Sequence, residues 1–322
     1  MLRNWMVGSA LLAVCVAGLW LFGREGLRVP PVPAFDDPAA FLAAREAGFD
    51  DIRPGGAARI VWAGGAGQRT DLAILYLHGF SAGPEEIRPV PDYVAAALGA
   101  NLVFARLSGH GRDGPAMAEP RAGDWVADTA MFLDIARAVG DRVVIIGTST
   151  GGTLAAYAAL DRAMAQDVAG IVFVSPNFAL ADPLGALLQW PLARHWVPLV
   201  AGAERRFAPI NAEQAAHWTT AYPTVATVTL GTLMRHLHAR DPAATDIPAL
   251  FVFSDADQVV SAQATRDMAA RWGGPVDLAP QSLPRSGADP FAHVIAGDIL
   301  SPAMTAPITA RMVDWIAALP AP

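Results

Sequence analysis

The chain has 322 residues, of which 53% are hydrophobic and 16% charged, and carries a formal net charge of −7 at pH 7. That length and apolar content suffice for a full-sized core and exclude an intrinsically disordered chain. The acidic balance argues against nucleic acid as a partner, because such binders present a basic face.

Apart from histidine, every basic side chain is arginine; with the abundance of alanine, this suggests a GC-rich bacterial genome. Cys15 is the only cysteine, so no intrachain disulfide or cysteine-based metal site is available.

In chain order, the first feature is the apolar or small run Trp5–Phe22, bracketed by Arg3 and Arg24. As a helix it reaches about 27 Å, close to the hydrocarbon thickness of a bilayer. A cleaved signal peptide is the alternative. Cys15-Val16-Ala17 is a poor cleavage site, however, and Leu19-Trp20-Leu21-Phe22 stays apolar beyond it. Residues 1–28 are therefore expected to be an uncleaved anchor in a bacterial inner membrane. Arg3 and Arg24 nearly balance across the span, and a periplasmic placement of the rest is preferred. Residues 29–57, with Pro30, Pro31 and Pro33, read as a linker followed by a short helix at Pro38–Ala47.

From Ala58 to the end, apolar β-rich runs alternate with helical spacings. Strands are expected at Arg59–Ala63, Leu72–His78, Asn101–Arg106, Arg142–Gly147, Gly170–Ser175, Ala249–Phe253 and Val276–Leu283. Helices are expected at Glu85–Leu98, Trp125–Ala138, Thr150–Asp161, Ala262–Trp272 and Ala303–Leu319. Continuous apolar strands followed by helices predict an α/β fold with a mostly parallel sheet covered by helices on both faces. Residues 176–248 interrupt the alternation without a convincing strand and read as a helical cap insertion in a domain spanning 58–322. Trp190 and Trp196, with Leu184, Leu187, Leu188 and Leu192, are candidates to line an acyl groove there.

Gly147-Thr148-Ser149-Thr150-Gly151 fits G-x-S-x-G. It follows an apolar strand and opens a helix, the strand–turn–helix of a nucleophile elbow. A serine hydroxyl needs a base to take its proton, and in this architecture the acid and then the histidine follow in sequence. The acid lies in Ser254-Asp255-Ala256-Asp257. Asp257 is preferred because it sits further into the loop, whereas Asp255 suits a turn-stabilising role. The base is His293, after the last strand. Two backbone N–H groups must face a developing oxyanion: those of Thr150 and, in His78-Gly79-Phe80-Ser81, of Phe80. His78 and His110 are expected to brace backbone, and His236-x-His238 diverges on a helix and is not read as a metal site.

Together, His78-Gly79-Phe80, the Arg106–Gly111 loop, Gly147–Gly151, Asp257 and His293 resemble the α/β-hydrolase superfamily, in particular its monoacylglycerol lipase, carboxylesterase and serine aminopeptidase-like branch. The resemblance covers about Ala58 to Leu319. It implies a serine hydrolase acting on a carboxylic ester or lipid through a Ser149–His293–Asp257 triad, with no metal or organic cofactor. Anchored acyl transfer, peptidase activity using Glu204 or Glu213 for a free amine, and a non-catalytic scaffold are the rival readings. Arg106 departs from the acidic residue common at that place in relatives.

Overall fold

The computed structural model describes residues 18–20 and 23–320. Seven strands form one sheet in the order β1-β3-β2-β4-β5-β8-β9. They are β1 (Arg59–Val61), β2 (Thr70–Leu77), β3 (Asn101–Phe104), β4 (Gly140–Thr148), β5 (Val168–Val174), β8 (Ala249–Phe253) and β9 (Val276–Pro280). All neighbours are parallel except β1, which pairs antiparallel with β3 at the edge.

Successive residues of the central strands point to opposite faces, and both faces are covered, so these strands have no polar alternation. Leu75, Leu77, Ile145, Phe173 and Phe251 enter one buried cluster with Trp125, Phe132 and Leu133 of the helix Ala122–Val139. Their neighbours Ile74, Tyr76, Ile146, Val172 and Leu250 enter a second, with Val90 and Val94 of the helix Val90–Leu98 and Ile308 and Met312 of the helix Pro302–Ala317. The fold is therefore the mostly parallel, doubly covered α/β sheet expected from the strand pattern, as the resemblance to the α/β hydrolases implies.

Several boundaries move. The helix expected from Glu85 begins at Val90, because Pro89 and Pro91 lack the N–H that a helix interior requires. The last strand stops at Pro280. Within the insertion, where no strand was expected, β6 (Glu204–Arg206) and β7 (Ala221–Pro223) form an antiparallel ribbon. The β6 residues are all exposed and polar, so hydrophobic periodicity carries no trace of them.

The segment before the sheet is packed against it. Leu42 of the helix Pro38–Ala47 joins the first core cluster. Glu46 of the same helix accepts from fully buried Arg106 at 2.6 and 3.0 Å, and from the Ala58 N–H at 3.0 Å. This supplies the carboxylate that an arginine at 106 needs when buried.

The inner-membrane anchor, and the localisation that went with it, are corrected. Most of Trp5–Phe22 lies outside the described residues. Among those described, no helix is long and apolar enough to cross a membrane. Of this stretch residues 18–20 are described, and the residues that follow it contact the insertion. Trp20 packs 5.8 Å from Trp190, the Gly23 carbonyl accepts from the Leu192 N–H, and Glu25 pairs with Arg121 and Arg194.

Candidate active site

Between β4 and the helix Thr150–Ala159, Ser149 adopts φ 51°, ψ −112°. A non-glycine residue reaches that conformation only in a strained turn held by its surroundings. The surroundings are tight. A Cβ on Gly147 would stand 2.6 Å from the Gly151 carbonyl oxygen, and one on Gly151 would stand 2.0 Å from that of Leu77. Small residues on both sides let the turn press against the end of β2. Its outer side is pinned to the end of β5, where Ser149 N–H donates to the Val174 carbonyl and Ser149 O accepts from Asn177 N–H.

His293 Nε2 lies 3.1 Å from Ser149 Oγ, and His293 Nδ1 lies 2.9 Å from Asp257 Oδ2. The other carboxylate oxygen of Asp257 accepts from the N–H groups of Val259 and Val260 at 2.8 and 2.9 Å. The Asp257 side chain is 1% exposed and that of His293 12%. Burial pushes the imidazole pKa down, but the hydrogen bond and charge of Asp257, with the charges of Glu86 and Asp289, outweigh it, and the net shift is upward from 6.5. Asp255 instead forms a bidentate pair with Arg266 at the surface. The structure thus brings Ser149, His293 and Asp257 together and leaves Asp255 out.

Thr150 is the first residue of its helix, where N–H groups have no intrahelical acceptor and the helix end favours negative charge. The turn containing Phe80 follows β2 and closes through Ala82 N–H to the Gly79 carbonyl. His78 braces it. His78 Nδ1 donates to the Gly79 carbonyl and Nε2 accepts from the Leu107 N–H; burial lowers its pKa to about 4, so the ring is neutral. The Phe80 ring packs at 5.2 Å on Tyr222 from the insertion.

Trp190 and Trp196, the groove candidates, have partners within the insertion and the segment before it. Trp190 faces Trp20, and Trp196 donates to the Pro191 carbonyl and packs against a small cluster with Val197 and Val228. His236 contacts Arg235, while His238 bonds to the Phe178 carbonyl. Among the described residues, no group of three His, Cys, Asp or Glu side chains is arranged to hold a metal.

Two supporting residues escaped the sequence reading. Asp289 accepts from the N–H groups of His293 and Val294 and holds the loop in which Ala292 takes φ 53°; the Asp-Pro pair was its only signal. Glu86 sits under the Phe80 turn and had no signal, because Glu85-Glu86 reads as an ordinary solvated pair.

The family model described as serine aminopeptidase, S33, matches residues 68–278. This chain belongs to the serine aminopeptidase, S33, family. It is a serine hydrolase of the α/β-hydrolase superfamily, in the branch that includes monoacylglycerol lipases and esterases. A thermostable monoacylglycerol lipase of Bacillus sp. (strain H-257) is 28% identical over 190 residues, covering 59% of this chain and 72% of that protein. Among solved structures, one of the metagenome-derived lipolytic enzymes LipS and LipT aligns with a TM-score of 0.64 at 23% identity, covering 83% of this hydrolase and 99% of that chain. A monoacylglycerol lipase of Paleococcus ferrophilus aligns with a TM-score of 0.59 at 12% identity, covering 81% and 98%. These structural likenesses concern the fold of the hydrolase, and its chemistry rests on the site.

Proposed function

We propose that this hydrolase cleaves carboxylic esters by acyl transfer through Ser149, His293 and Asp257. The observation that carries the reading is the unbroken line of short contacts from Ser149 Oγ through both imidazole nitrogens to a buried carboxylate. His293 Nε2 takes the serine proton as Oγ attacks the ester carbonyl, and Asp257 orients the ring and supports the imidazolium. The N–H groups of Phe80 and Thr150 receive the oxyanion of the tetrahedral intermediate. His293 then protonates the departing alcohol, and water resolves the acyl-enzyme by the same steps in reverse.

An ester is favoured over a peptide with a free amine. Glu204 pairs with Arg206 and Glu213 lies beside His217, both carboxylates being exposed, and neither is engaged with the triad. Relatives named as monoacylglycerol lipases point the same way. Comparing p-nitrophenyl esters with aminoacyl anilides tests this reading, and preferential cleavage of the anilides overturns it.

The half-buried Phe80–Tyr222 pair beside the oxyanion turn offers apolar surface to an acyl chain. Each buried CH₂ contributes at most about 0.8 kcal/mol, so four carbons raise kcat/KM by up to roughly two orders of magnitude. Esters of medium chain length, about C6 to C10, are expected to exceed acetate, as a chain-length series would show. A flat series indicates a small polar ester instead.

The base must be neutral to act. Because the pKa of His293 is raised, kcat/KM is expected to fall as pH drops, with a midpoint above the ordinary 6.5. Asp257→Asn removes the largest raising influence, so the residual activity of that variant should show its acid limb at lower pH. A pH–rate profile on both proteins measures the shift.

A further inference from the structure

Beneath the oxyanion turn lies a carboxylate that the triad does not use. Glu86 is 3% exposed. Its Oε2 accepts from Gly79 N–H at 2.7 Å and from the Tyr76 hydroxyl at 2.8 Å. That hydroxyl also lies 3.3 Å from Thr148 Oγ1, one residue before Ser149. A Cβ on Gly79 would stand 2.5 Å from Glu86 Oε1 and 3.2 Å from Ser149 Cβ. A single strand of backbone therefore separates this carboxylate from the serine.

Buried carboxylates are normally matched by a cation. The nearby arginines are engaged otherwise, Arg59 with Glu85 and Arg88 with Glu85 and Asp92. Among the described residues no ion pair reaches Glu86. Tyr76 from β2 bonds to it, and the charge of His293, from the loop after β9, acts on it; Asp257 and Asp289 are the other carboxylates acting on that imidazole. Burial pushes the Glu86 carboxyl up to about 7, opposed by the Gly79 N–H, the Tyr76 hydroxyl and the charge of His293. Holding the Gly79 N–H does not need a charge. A neutral glutamine accepts the same hydrogen bond without burying an ion.

We propose that Glu86 is a positioning residue for acyl transfer at Ser149: its carboxyl group pins Gly79, and with it the Phe80 N–H, while its negative charge supports the imidazolium that His293 becomes. This rests on the acyl-transfer reading above. Protonation of Glu86 and of His293 is then coupled, and the acid limb of the rate profile belongs to the pair.

Glu86→Gln keeps the hydrogen-bond geometry and removes the charge. Its kcat is expected to fall about tenfold, less than the 10²–10³ scale for a lost oxyanion donor. KM should change little, and the acid limb of kcat/KM should move to lower pH. Stability should go the other way. A folded-state pKa raised from 4.5 to about 7 gives a contribution that is present below 4.5 and lost as pH rises through 7. At pH 8.5 the Gln variant should therefore melt no lower than the parent while turning over more slowly, a combination that a purely structural glutamate does not produce. Wild-type kcat with an unshifted acid limb overturns the proposal. Should the Gln variant not fold, Tyr76→Phe removes one of the two donors and raises the Glu86 pKa further. It should then carry less charge at neutral pH and lower kcat there more than at pH 9; equal kcat ratios at both overturn the proposal. Fluorophosphonate labelling separates the two levels. Loss of labelling in Ser149→Ala with a wild-type profile in Glu86→Gln defeats this inference alone, whereas labelling that survives Ser149→Ala defeats the acyl-transfer reading itself.

Discussion

Ser149→Ala is expected to abolish labelling by a fluorophosphonate probe and to lower ester turnover by about 10⁴-fold or more, which corresponds to about 5 kcal/mol of transition-state stabilisation. The size follows from the geometry. Ser149 Oγ is the atom 3.1 Å from His293 Nε2, and the strained turn holds it at the carboxyl end of the sheet beside a helix amino terminus. Alanine removes the nucleophile while keeping the Cβ that the turn already accommodates, so the fold should survive. Near-native melting together with lost labelling is the expected pair of results. Undiminished labelling removes Ser149 from the mechanism.

The second large effect separates two aspartates two residues apart. Asp257→Asn is expected to lower kcat by up to about 10⁴-fold with a modest change in KM, because an amide next to Nδ1 no longer fixes the tautomer that leaves Nε2 free to accept a proton. His293→Ala should be as damaging, since no other histidine bonds to Ser149 among the described residues, and His78, His110 and His238 are engaged with Gly79 and Leu107, Ser108 and Phe178 respectively. Asp255→Asn breaks only an exposed pair with Arg266, worth about 0–1 kcal/mol of stability, and should leave kcat within about twofold. Steady-state kinetics on the three variants checks the assignment, and a far greater loss in Asp255→Asn reverses it.

The parts legible from the chain itself are those whose cause is local. A continuous apolar strand, a small residue on each side of a serine and a helix after it are required by the sharpness of the turn, so Gly147–Gly151 announced Ser149 without tertiary information. That the acid and histidine loops share an edge with Ser149 likewise follows from where parallel strands end, while their order came from the architecture the elbow implied. What the tertiary structure decided depends on residues far apart in sequence. Which aspartate turns inward was settled by Arg266, which holds Asp255 at the surface, and by the Val259 and Val260 N–H groups that draw Asp257 in. The partner of Arg106 lies 60 positions earlier at Glu46, in a short helix that the sequence showed without showing what it would pack against. Apolar composition told that Trp20 and Trp190 seek apolar surroundings, but not that they would meet each other. Glu86 is the clearest case: as one of two adjacent glutamates it looks solvated. It is buried because the first turn after β2 folds over it and Gly79, lacking a Cβ, leaves it room. Burial is a property of the packed chain, and the hydrogen bonds that make a buried carboxylate tolerable come from residues that only the fold assembles.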